Sequence, residues 1–178
     1  MTTERSLYDD PSFYDRITSP PGGSLDFYLR VARASGGAVL ELACGTGRLT
    51  IPIAEALAHD AARPVTGLDL APTMLDAARR KAIDAGVEVA LIEGDMRTFA
   101  LGRRFGTIFV AFNSLLHLTT NDALGECFAR VREHLAPNGA FAFDVFNPSI
   151  QSRVRRTSGR RRHVCSTPSS ARSTSRRR

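Results

Sequence analysis

"VLELACGTGRLTIPIAEAL", residues 39–57, is the stretch that decides the fold. An apolar run reaches an acid, Glu41, breaks on Gly45 and Gly47, and resumes with apolar residues at helical spacing. A short continuous apolar run is what a parallel strand covered on both faces requires. Two glycines leave the backbone bare at the strand's tip, so another group can approach it closely. The helix that follows offers unpaired N–H groups and the positive end of its dipole there. Pro52 is tolerated only in a first turn, so regular helical hydrogen bonding begins close to it.

The same alternation runs outward in both directions. Residues 24–34 place Leu25, Tyr28, Leu29 and Ala32 on one helical face, with Ser24 as the N-cap and Gly36 and Gly37 as the stop. "PVTGLDL" reads as a second strand, and "APTMLDAARRKAIDAG" as a helix with Pro72 near its first position and Gly86 just past its end. "VEVALIEGD", "FGTIFVAFN" and "GAFAFDVFN" read as strands three to five. The helix "NDALGECFARVREHLAP" is expected to turn Leu124, Phe128, Val131 and Leu135 inward. Strands alternating with helices predict an α/β fold, a doubly wound Rossmann-like parallel sheet with helices on both faces. Ligands in such sheets bind beyond the carboxyl ends of the strands, where strand order reverses. The loops to inspect are residues 43–48, 69–72, 94–97, 112–118 and 144–148.

Composition narrows the function. The 178 residues are 43% hydrophobic, enough for one core, and residues 24–150 are expected to form it. The longest apolar runs are too short to span a bilayer. Residues 1–23 lack a basic head followed by an apolar stretch and are expected to form a leader that lids the site. Cys44, Cys127 and Cys165 are widely spaced and include no C-x-x-C, which predicts no disulfide framework, no metal site and a cytoplasmic protein. The net charge of +6 conceals a division: residues 1–150 carry 14 basic and 18 acidic side chains, a net −4, while residues 151–178 carry 10 arginines and no acid. This Arg/Ser-rich tail is expected to be disordered. It interleaves no aromatics among its basic residues, which argues against nucleic acid as a partner. Its composition is also what a GC-rich gene yields in a shifted reading frame.

The strand-end loops then describe a ligand. Asp69 stands 22 positions beyond Gly47, where the ribose-binding acid of a nucleotide fold belongs. Asp95, in "EGDM", is placed to accept from an exocyclic adenine amine, with Met96 packing on the ring. NAD is the first candidate for such a site, but its fingerprint needs a third glycine where this chain has Thr50, and Glu41 sets negative charge near a pyrophosphate. A ligand without phosphate, carrying a cationic sulfonium and ammonium, suits that turn better: S-adenosylmethionine.

Residues 8 to about 148 resemble a class I S-adenosylmethionine-dependent methyltransferase of the small-molecule type. "VLELACGTGRLTIPIA" is similar to the family's first motif, with Ala43 where glycine is more frequent. "VTGLDLAPTML", "LIEGDMRTFAL", "FGTIFVAFNSLLHLTT" and "LAPNGAFAFDVFNP" resemble the motifs of strands two to five, and "YDDPSFYD" resembles the leader. The resemblance implies that Glu41, Ala43, Gly45 and Gly47 line the methionine end. It implies Asp69 and Leu70 at ribose, Asp95 and Met96 at adenine, Phe112 or Asn113 near the methyl, and Tyr8 and Tyr14 folded over the cofactor. Asn113 and His117 are the candidate catalytic residues. "AFNSLL" lacks the Asn/Asp-Pro-Pro-aromatic signature of members acting on bases or glutamine, so a small-molecule acceptor is expected. The family continues with a helix and two more strands that the tail does not resemble. Two readings of function stay open: a working small-molecule methyltransferase, and a non-catalytic remnant that binds S-adenosylmethionine weakly or not at all. The missing strands predict little or no methyl transfer, and a fifth strand that forms an edge through which the chain dimerises or aggregates.

Overall fold

The computed structural model describes residues 7–18, 22–146 and 160–166. A 3-10 turn, Leu7–Asp9, leads into α1 (Pro11–Ile17) and α2 (Ser24–Ser35). β1 (Val39–Leu42), α3 (Thr50–Leu57), β2 (Val65–Asp69), α4 (Pro72–Ala85) and β3 (Ala90–Glu93) follow. β4 (Phe105–Val110), a 3-10 helix Ser114–His117, α5 (Asn121–His134), β5 (Leu135–Phe146) and β6 (Arg160–Ser166) complete the order.

The sheet order is β3-β2-β1-β4-β5-β6. The first five strands pair in parallel, and the order reverses between β1 and β4, the position where such sheets hold their ligands. Side-chain alternation along β1 divides the core. Val39 faces Tyr28, Ile53 and Leu57 of α2 and α3, while Leu40 and Leu42 face Cys127 and Val131 of α5. Each large apolar side chain sealed in this way contributes about 1.5–3 kcal/mol.

The structure corrects three local expectations. Gly23, in a left-handed conformation, is the N-cap of α2, and Ser24 is the first helical residue. Phe128 is 43% exposed and meets Phe141 edge-on at 5.8 Å; Cys127, one position earlier, takes the buried place, because the inward stripe steps by three residues there. The third correction lies in the tail. Arg160–Ser166 pairs antiparallel with β5, Phe146 opposite Arg160 through Ala140 opposite Ser166. β5 is therefore not the edge of the sheet, the premise of the expected dimer or aggregate, and this part of residues 151–178 is ordered. Composition failed here because it weighs side-chain burial, whereas an edge strand recruits a partner through its unpaired N–H and C=O groups. The other tail residues lie outside the described ones.

Candidate functional site

A cavity of about 740 Å³ opens beyond the carboxyl ends of the parallel strands. Ligand sites run to roughly 300–1,000 Å³, so it is large enough for a nucleoside-sized molecule with a second small one. Its floor begins at the turn after β1. Gly45, at φ +55, lines the cavity, and a Cβ built there meets nothing within 4 Å, so the glycine forms a bare cradle. Asp69, at the tip of β2, holds that turn: Gly45 N–H donates to Oδ2 at 2.7 Å and Ala71 N–H to Oδ1 at 2.9 Å. Asp69 is not the N-cap of α4, since the capping position is Ala71 and makes no side-chain bond.

Of the residues expected at the ligand, Tyr14, Ala43, Gly45, Asp69, Leu70, Asp95, Met96 and Phe112 all lie on the cavity wall. His117 lies there as well, on the 3-10 helix after β4. Three others do not. Glu41 is buried under the floor on the α3 side, where Thr50 Oγ1 donates to its Oε2. Burial pushes the Glu41 carboxyl up to about 8, against the lowering effect of the Thr50 hydrogen bonds, so it is protonated at pH 7. Gly47, at φ +75, sits where a Cβ would meet Ile51 Cδ1 at 2.8 Å; its smallness serves the packing of α3. Asn113 turns away: its Oδ1 accepts Phe146 N–H at 2.6 Å.

The opposite wall carries charge and a strap. Arg97 grips Asp95, Nε 3.0 Å from both carboxylate oxygens and Nη2 at 2.5 Å from Oδ2, and this holds the Asp95 carboxyl below the usual carboxylate range. Asp9, Asp69 and Asp95 all line the cavity, with Arg97 committed to one of them, so the wall favours a cationic ligand. The strap is residues 7–18. Asp15 on α1 accepts from Thr46 Oγ1 at 2.7 Å and from Lys81 Nζ at 2.5 Å, tying the strap to the glycine turn and to α4. Arg48 lies over the rings of Tyr14 and Phe112, at 4.9 and 5.3 Å. Tyr8 Oη lies 2.9 Å from His117 Nε2, closing the strap against the β4 loop, and burial raises the Tyr8 phenol, which stays protonated. Burial likewise pushes the Cys44 thiol well above its ordinary value, so it is no nucleophile.

Sequence reasoning passed over Asp9, Arg97, Thr119 and Thr120 on this wall. Arg97 stands two residues beyond Asp95, and "TTND" is a helix-start signature facing the same cavity. Among the described residues no cluster of histidine, cysteine or carboxylates could hold a metal ion, and no helix is long and apolar enough to cross a membrane.

A sheet that reverses at β1/β4 and a carboxylate-walled cavity at that reversal define the class, and comparison with known proteins agrees. Residues 39–139 match the methyltransferase domain family, and the chain belongs to it. It is 35% identical over 111 residues to dTDP-3-amino-3,4,6-trideoxy-alpha-D-glucopyranose N,N-dimethyltransferase of Streptomyces venezuelae, covering 62% of this chain and 43% of that protein. It is 38% identical over 101 residues to the dTDP-3-amino-3,6-dideoxy-alpha-D-glucopyranose N,N-dimethyltransferase of Streptomyces fradiae, covering 57% and 36%. Among solved structures it superposes on the CcbJ methyltransferase of Streptomyces caelestis with a TM-score of 0.69 and 30% identity, over 80% of this chain and 59% of that one. The glycopeptide N-methyltransferase MtfA complexed with S-adenosyl-L-methionine gives 0.60 and 33%, over 76% and 54%. The chain thus spans about half the length of these relatives, or less.

Proposed function

We propose that the chain binds S-adenosylmethionine in this cavity and transfers its methyl group to a small-molecule acceptor, with an amine nitrogen as the receiving atom. The observation that carries this is the convergence of Gly45, Asp69, Asp95 and Phe112, from four successive strand ends, on one cavity whose wall holds three carboxylates. The Gly45 cradle admits close approach of a ligand backbone. Asp69 keeps a second lone pair on each oxygen for ribose hydroxyls while its first pairs hold the turn. Asp95 and Met96 take the adenine, and Leu70, 66% exposed, covers the nucleoside. Tyr8 and Tyr14 bring the strap over the ligand.

Bound S-adenosylmethionine supplies a methyl already activated on a sulfonium, so the protein's contribution is to hold acceptor and methyl in line and exclude water. His117, whose Nε2 lies 2.9 Å from Tyr8 Oη on the cavity wall, is the candidate for proton transfer to or from the acceptor. Asn113, committed to β5, drops out as a catalytic candidate. An amine acceptor is supported by the relatives named for amino-sugar N,N-dimethylation and glycopeptide N-methylation. We place the protein in the cytoplasm; its free buried thiols at Cys44 and Cys127 suit a reducing compartment.

The test is methyl incorporation from labelled S-adenosylmethionine into a panel of amino sugars, peptide amines and phenols. Label in an amine acceptor, above a protein-free control, is the expected result. No acceptor-dependent incorporation across the panel would contradict the enzymatic reading.

A further inference from the structure

Asp144 of β5 is fully buried and touches none of the cavity. A buried carboxylate is expensive unless hydrogen-bonded, so its partners show what it is for. Its Oδ1 accepts the backbone N–H of Asn113 at 3.1 Å. Its Oδ2 accepts from the Tyr28 hydroxyl at 3.1 Å, and Tyr28, itself fully buried, also lies 3.2 Å from the carbonyl of Val110, the last residue of β4. Asn113 in turn reaches back through Oδ1 to the N–H of Phe146. The loop after β4 is thereby fastened to β5 at two points.

That loop needs fastening. Phe112 and Asn113 both adopt left-handed backbone, φ 55 and 64, which non-glycine residues disfavour and which persists only where surroundings over-determine it. The two left-handed residues bring the Phe112 ring to the cavity wall, under Arg48. They also launch the 3-10 helix that carries Ser114 and His117 to the same wall, through Leu116 N–H to Asn113 O at 2.8 Å.

We propose that Asp144 is a positioning residue for the methyl-transfer site: acting through the Asn113 N–H, it sets the course of residues 111–117 so that Phe112 and His117 face the cavity. This rests on the methyltransferase reading above. The role is one of geometry rather than charge. Asparagine at 144 keeps a side-chain oxygen to accept the Asn113 N–H, whereas alanine removes the acceptors of both the Asn113 N–H and the Tyr28 hydroxyl, leaving the hydroxyl only Val110 O.

The experiment compares Asp144→Ala, Asp144→Asn and Tyr28→Phe with the unaltered chain, by amide hydrogen exchange and by calorimetric binding of S-adenosylhomocysteine. In Asp144→Ala, exchange is expected to accelerate in residues 111–118 while β1 and β2 stay protected, and affinity to fall at least tenfold. Asp144→Asn restores both to within threefold, and Tyr28→Phe falls between. Unchanged protection of residues 111–118 in the alanine variant overturns the proposal. So does wild-type affinity in that variant, or equal losses in alanine and asparagine, which would make charge the operative property. If Asp144→Ala does not fold, Tyr28→Phe decides by the same exchange readout: faster exchange confined to residues 111–118 supports the brace, and unchanged exchange overturns it. If the unaltered chain binds no S-adenosylhomocysteine, the methyltransferase reading fails by itself, and the exchange pattern still decides whether Asp144 holds the loop.

Discussion

Two carboxylates, Glu41 and Asp69, lie one strand apart in different surroundings. Glu41 is sealed against α3 with Thr50 and holds its proton up to about 8, against 4.5 for an ordinary glutamate. Its folded-state value is raised, so its contribution to stability is whole below about pH 4.5 and is lost progressively as pH rises through about 8. Glu41→Gln, permanently neutral, should therefore lose less stability than the unaltered chain between pH 5 and 9. Thermal midpoints across that range check it, and parallel curves would mean that Glu41 ionises freely in the folded state. Asp69, half-buried on the cavity wall, accepts two backbone N–H groups. Asp69→Ala should weaken binding of S-adenosylhomocysteine by about 1.5–3 kcal/mol, roughly 10- to 150-fold in Kd. Equal affinities would confine Asp69 to holding the turn. Asp69, Asp95 and Gly45 were legible from sequence because their positions follow from where strands end. Asn113 and Asp144 were not: one bears a left-handed φ and the other bonds it across 31 residues, and neither relation leaves a local pattern.

At the scale of elements, the helices and parallel strands were legible from periodicity and punctuation. Pro72 opens α4, and Gly86, left-handed at φ 66, closes it. Errors gathered where tertiary pairing overrides pattern. β5 extends from Leu135, earlier than the apolar run suggests, with a register irregularity against β4 between Phe105 and Thr107. β6 arises from a segment whose composition argues for disorder, because its partner is a backbone edge. This pairing makes a prediction. Deleting residues 160–178 exposes the N–H and C=O groups of β5 beside Phe146, already 46% exposed. The shortened chain should associate with rising concentration more strongly than the full chain, as read by size-exclusion chromatography with light scattering. The same oligomeric state for the two across the concentration range would show that β6 does not protect that edge.

At the scale of the whole molecule, charge and topology point to one ligand. Residues 1–150 are net acidic, and three of their carboxylates wall the cavity at the sheet's reversal. Glu41, buried and neutral beneath the turn after β1, does not supply the negative charge that the sequence set against a pyrophosphate; the carboxylates of the cavity wall do, beside the bare Gly45. A dinucleotide brings two phosphates to that turn; S-adenosylmethionine brings cations and a carboxylate. The most direct measurement is titration calorimetry of the full chain against S-adenosylhomocysteine and against NAD under the same conditions. A saturable one-site isotherm with S-adenosylhomocysteine, at least tenfold tighter than any binding of NAD, is the predicted result. Tighter binding of NAD, or no binding of S-adenosylhomocysteine by folded chain, would contradict the account.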